Sequence, residues 1–124
     1  LTIANRTPEK AIALANKFAS GEHEVNVAAI DARLNSEPSL IINTTSAGIL
    51  KQAIELPENL FSDNVFVYDL SYSFQMTPFN KIAKEAGVKN YSDGLGMLIE
   101  QAALSFEIWT SHIPSTDIKR EDLL

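Results

Sequence analysis

The sequence contains no cysteine, which excludes a disulfide framework, a thiolate metal site and a cysteine nucleophile. Basic residues are scarce: ten Lys and Arg stand against sixteen Asp and Glu, giving a formal charge of −6 and a pI near 4.8. An acidic surface repels phosphate backbones and argues against non-specific binding of DNA or RNA. Long apolar runs are missing too. The longest are a handful of residues, far short of the roughly 20 that a bilayer-spanning helix requires. No basic segment followed by an apolar one opens the chain as a secretory signal would. Histidine is limited to His23 and His112, and neither has partners at metal-ligand spacing. A G-x-G-x-x-G phosphate fingerprint is absent: after Gly94 and Gly96, Ile99 stands where the third glycine would be. A soluble, cytoplasmic protein without a metal or a membrane partner is the expectation.

What is present is an ordinary globular mixture, with 45% hydrophobic and 21% charged residues over 124 positions, enough for one modest domain. The chain opens at Leu1, without Met, directly in a strand-like run, as the interior of a domain would. Leu1–Ala4 reads as a buried strand. Thr7 as N-cap and Pro8 at the first helical position then start a helix whose Ala11, Leu14, Ala15, Phe18 and Ala19 recur at helical spacing, with Gly21 as its expected C-terminal cap. Glu24–Ile30 is strand-like, and Leu40-Ile41-Ile42 is the continuous apolar run of a strand covered on both faces. A short helix is expected near Pro57–Phe61, and a strand at Val65–Tyr68. Pro78–Ala86 reads as a helix capped by Thr77 and stopped by Gly87, and Val88–Tyr91 as a strand. A long helix capped by Asp93 runs to about Ser111, and a final short one begins at Ser115 or Thr116. Alternating strands and helices predict an α/β fold with a parallel sheet.

In such sheets ligands bind beyond the carboxyl ends of the strands. Four polar segments fall there: Asn5-Arg6-Thr7, Asn43 to Gly48, Asp69 to Tyr72, and Ser92 to Gly94. Arg6 and Lys10 flank a helix start, where free N–H groups and the dipole favour an anion. At the corresponding point of dinucleotide folds an acidic residue holds the ribose of NAD, whereas Arg accommodates the 2′-phosphate of NADP. The plain alternative is a solvated helix start with Lys10 paired to Glu9 or another surface acid. Asn43 to Gly48 offers four hydrogen-bonding side chains and a glycine, which would suit close approach to a ligand or an unadorned turn. Gly94 and Gly96 open a helix at a cost of roughly 1 kcal/mol each relative to Ala, so a closely approaching ligand or strand is expected there. Gly94, Met97 and Gln101 share one helix face. Asp69 at a strand end could serve as a carboxylate acid or base, but no second carboxylate is fixed beside it by spacing and a capping or turn role is the expectation. Leu98, Ala102, Ala103, Phe106 and Trp109 are expected to face the core, and Lys119–Asp122 to form a solvated helix.

In order, Asn5-Arg6-Thr7, Asn43-Thr44-Thr45-Ser46-Ala47-Gly48, Tyr68-Asp69-Leu70-Ser71-Tyr72, Thr77-Pro78-Phe79 and Asp93-Gly94-Leu95-Gly96-Met97-Leu98 with Gln101 closely resemble the C-terminal, NADP-binding half of the shikimate dehydrogenase family, from the first residue to about Pro114. The resemblance implies a Rossmann-like doubly wound sheet and reduction of 3-dehydroshikimate to shikimate with NADPH. It implies that Asn5, Arg6 and Thr7 hold the adenosine 2′-phosphate, with Lys10 in place of a second arginine and without its planar fork. Thr44 and Thr45 would lie along the cofactor, and Leu70, Gly94 and Met97 against its nicotinamide end. Tyr72 and Gln101 would reach the substrate. The family's first strand, its Gly-rich loop and the substrate domain with the catalytic Lys and Asp should precede Leu1. The expectation is therefore a fragment without catalytic residues, inactive alone, with shikimate or 3-dehydroshikimate as the small-molecule partner and a homodimer left open. A quinate- or NAD-preferring relative, a non-catalytic nucleotide-binding or regulatory module, and a plain α/β interaction domain stand as alternatives.

Overall fold

A computed structural model describes residues 1–21, 23–45, 56–57 and 59–123. Its elements are β1 (Thr2–Asn5), α1 (Pro8–Phe18), β2 (Asn26–Ala29), β3 (Leu40–Asn43), β4 (Phe66–Asp69), α2 (Pro78–Glu85), β5 (Asn90–Asp93) and α3 (Leu95–Thr110), followed by a 3-10 turn at Arg120–Asp122. Every pairing between these strands is parallel, as the alternation of strands and helices predicts. The chain divides into two compact units, Leu1–Glu37 with Ile54–Leu60, and Pro38–Ala53 with Phe61–Leu124.

The first unit is a β-α-β crossover. Thr2 pairs with Asn26 and Asn5 with Ala29, while α1 buries Ala11 and Ala15. Two alanines one turn apart let the helix approach the strands closely. Gly21 is not the cap of α1. The helix ends as Ala19 turns extended (φ −62°, ψ 129°), with its N–H still donating to Ala15 O at 2.7 Å. Any L-residue adopts that conformation, so no glycine is required. The helix expected at Pro57–Phe61 is a turn at Asn59 and Leu60, closed by Leu60 N–H on Pro57 O at 3.0 Å. Asn59 then exchanges two hydrogen bonds with the backbone of Leu34, at 3.2 and 2.9 Å, and this side chain fixes the turn.

The second unit is a three-stranded sheet in the order β3-β4-β5. Val65, Val67, Phe79, Ala83, Val88 and Leu95 form its buried apolar centre, and Phe61 meets Phe79 edge-on at 6.2 Å. Thr77 caps α2 by accepting from Asn80 N–H, with Pro78 at the first position. Gly87 (φ 95°) ends α2: its N–H donates to Lys84 O and that of Val88 to Ala83 O, both at 3.0 Å, the paired bonds of a Schellman motif. Because Val88 spends its amide on the helix, β5 starts at Asn90 rather than at Val88.

Three expectations are corrected here. Leu40 and Ile42 are 52% and 53% exposed, so β3 is not covered on both faces. Of the apolar face of α3 only Leu95 is buried; Leu98, Phe106 and Trp109 are 39%, 46% and 81% exposed. The helix expected from Ser115 is irregular chain, and helical hydrogen bonding begins only at Arg120.

Candidate functional site

In the first unit the polar segment after β1 is organised by Asn5. Its carboxamide oxygen accepts from Thr7 N–H at 2.8 Å, an Asx turn that offers the backbone a local partner. Thr7 occupies the N-cap position as expected, yet its hydroxyl makes no cap hydrogen bond. Lys10 N–H closes the first turn on Thr7 O at 3.1 Å. Arg6, Thr7 and Lys10 are all exposed. The structure thus gathers Asn5, Arg6, Thr7 and Lys10 around one helix start.

In the second unit the carboxyl ends of three strands bring three polar residues into one row: Asn43 is the register partner of Asp69, and Asp69 of Asp93. Asn43 Nδ2 donates to Asp69 Oδ1 at 3.0 Å, and both side chains are buried, at 6% and 1% exposure. The same Asp69 oxygen accepts from Ser71 N–H at 3.1 Å. Asn43 Oδ1 accepts from the N–H and the hydroxyl of Thr45, at 3.1 and 2.8 Å. Asp93 Oδ1 accepts from Leu95 N–H at 3.2 Å, but the N-cap of α3 is Gly94 rather than the expected Asp93. The row therefore fixes the loops that carry Thr44, Thr45, Leu70, Tyr72 and Gly94. Parallel register also sets a second carboxylate, Asp93, beside Asp69, which spacing in the sequence does not reveal.

Gly94 accounts for half of the glycine cost. A Cβ there would lie 2.1 Å from the carbonyl oxygen of Leu70, and Gly94 N–H donates to Ser71 O at 3.0 Å. The close approach is that of a neighbouring strand end, one of the two kinds expected. Gly96 faces open space, so nothing among the described residues compensates for it. Leu70 is half-buried, and Tyr72, Met97 and Gln101 are exposed. Ser46, Ala47 and Gly48 of the third-strand loop lie outside the described residues.

Sequence reasoning missed two partners. Asn80, buried in α2, donates from Nδ2 to Ser92 O at 2.9 Å. Arg120 places Nη2 at 2.8 and 2.7 Å from the two oxygens of Asp93, and its Nη1 donates to Ser73 O. The segment expected to be a solvated helix is thus anchored on the row. No periodic signal links positions 27 residues apart; only the fold does. Neither His23 nor His112 joins a cluster: among the described residues no group of three His, Cys, Asp or Glu could hold a metal ion. No described helix is long and apolar enough to cross a membrane. Asp69 is committed to two N–H donors, which makes it a structural acceptor.

Comparison with known proteins agrees with the motif resemblance. The family described as "Shikimate 5'-dehydrogenase C-terminal domain" matches residues 94–121. Over 94% of its length the chain is 40% identical to shikimate dehydrogenase (NADP(+)) of Methylobacillus flagellatus and 42% identical to that of Nitrosomonas eutropha. It spans 43% and 42% of those relatives' own lengths. Among solved structures, an Ael1 enzyme from Pseudomonas putida aligns with a TM-score of 0.81 at 32% identity, over 98% of this chain and 44% of that one. A shikimate dehydrogenase in complex with NADP+ aligns at 0.80 and 33%, over 97% and 44%. The Thermus thermophilus enzyme in complex with NADP(H) and shikimate aligns at 0.72 and 31%, over 93% and 41%.

Proposed function

We propose that these residues form the NADP-binding part of a cytoplasmic shikimate dehydrogenase, which reduces 3-dehydroshikimate to shikimate with NADPH. The observation that carries the reading is the Asn43–Asp69–Asp93 row. It holds three loops at one sheet edge in a chain whose relatives, at about 40% identity, bear that name and whose structural neighbours include NADP and shikimate complexes.

The residues present suit the cofactor. Arg6 and Lys10 supply exposed cations at a helix start, fitting a 2′-phosphate, and Asn5 pre-orders the turn between them. Thr44 and Thr45 would run along the cofactor, with Thr45 held by Asn43. The bare backbone at Gly94, the half-buried Leu70 and the exposed Met97 present an uncharged surface for a nicotinamide ring. Tyr72 and Gln101 would meet the substrate with a phenol and an amide. NADPH supplies a hydride from its nicotinamide ring when bound. The chain's own part is to select the phosphate, orient the ring and wall one side of the substrate. We assign no catalytic group to these 124 residues and expect no turnover from them alone.

Calorimetric titration of NADP+ into the protein that carries these residues tests the cofactor reading. Saturable binding is expected, and none at millimolar NADP+ would sink it. Titration of shikimate separates the enzyme from a non-catalytic nucleotide module: Gln101→Ala should weaken binding about tenfold, and unchanged affinity would favour the module.

A further inference from the structure

The Arg120 guanidinium spans two elements of the second unit. Nη2 sits on both carboxylate oxygens of Asp93, at 2.8 and 2.7 Å, at the junction of β5 and α3. Nη1 donates to the carbonyl of Ser73, in the loop that follows β4. The Asp93 carboxylate is largely buried, with 12% of its side chain exposed, and that of Arg120 is 34% exposed. A planar donor that reaches two acceptors at once is what arginine does and lysine does not.

Tyr72 lies between two fixed points of that loop. On one side Ser71 O accepts from Gly94 N–H at 3.0 Å, and Ser71 N–H donates to Asp69 Oδ1 at 3.1 Å. On the other side Ser73 O accepts from Arg120. Tyr72 itself is 44% exposed, and the backbone on either side limits the directions its side chain can take. Within the described residues, the hydrogen bond that fixes the Ser73 side to the start of α3 comes from the far end of the chain.

We propose that Arg120 is a positioning residue for the substrate side of the site: by clasping Ser73 to Asp93 it fixes the peptide that carries Tyr72. The assignment rests on the reading of Tyr72 as substrate-facing. Arg120 would touch neither cofactor nor substrate, so its loss should act on one and spare the other.

The test compares Arg120→Met and Arg120→Lys with the parent protein at full length. Two readouts are used: hydrogen exchange of peptides covering residues 71–76, and KM for 3-dehydroshikimate measured beside Kd for NADPH. Arg120→Met should raise exchange in 71–76 about tenfold and KM for 3-dehydroshikimate by a similar factor, with NADPH affinity within twofold. Arg120→Lys keeps the charge on Asp93 and guards against a folding defect; it should restore the melting temperature but only part of the KM. Unchanged exchange in both variants would overturn the clasp. Faster exchange with unchanged KM would overturn the positioning role, and Tyr72→Phe then locates the fault. If that change also leaves KM unmoved, it is the reading of Tyr72 that fails. If it raises KM, the loop tolerates loss of the clasp.

Discussion

The two units fix a loop at the carboxyl end of a parallel strand by different means. In the first, Asn5 reaches two residues ahead to Thr7, exposed to water, and the segment is organised by its own sequence. In the second, Asn43 and Asp69 are 26 residues apart and meet in a buried hydrogen bond, and the two loops beyond them are held by that meeting. An exposed local bond competes with water and contributes little, whereas a buried one becomes costly once a partner is removed. The cation-bearing segment of the first unit is therefore adaptable, and the strand ends of the second unit are rigid.

Gly94→Ala should be the most damaging single change. Its Cβ would lie 2.1 Å from the backbone oxygen of Leu70, which no side-chain rotation relieves, and overpacking of this kind costs about 3 kcal/mol. Thermal denaturation of the variant should show a fall in Tm of about 10 °C or more; a shift of a degree or two would mean that β4 and α3 yield more readily than the geometry indicates. Next comes Asn43→Ala, which strips a donor from buried Asp69 and should cost about 2 kcal/mol in urea unfolding. Asn5→Ala removes the exposed counterpart and should cost less than about 1 kcal/mol. Equal losses from the two would erase the contrast between the units. Smallest and of opposite sign, Gly96→Ala should stabilise by up to about 1 kcal/mol, since its Cβ would enter open space.

The same contrast explains what the sequence made legible. Asn5, Thr77-Pro78 and Gly87 act on residues two to five positions away, so turn and cap chemistry located their elements. The Schellman motif at Gly87 was visible as a stop, but not the use of Val88 N–H that delays β5. Pro57 begins a single turn as readily as a helix, and only the exchange between Asn59 and Leu34 decides which. Along α3, periodicity gives a face without saying what covers it, and Trp109 stands 81% exposed. Of the residues assigned to the site, the members of the four strand-end segments were legible because chain order puts them at carboxyl ends. The Asn43–Asp69–Asp93 row and the Arg120 clasp depend on parallel register and on the return of the chain terminus, and neither leaves a local pattern.

In the proposed function, Arg6 selects NADP over NAD. Affinities of NADPH and NADH for the protein and for Arg6→Ala, measured side by side at one ionic strength, test it most directly. Removing a cation that meets the 2′-phosphate should weaken NADPH about tenfold, a loss of about 1.4 kcal/mol, and leave NADH within twofold. An equal loss for both nucleotides, or no loss for either, would contradict it.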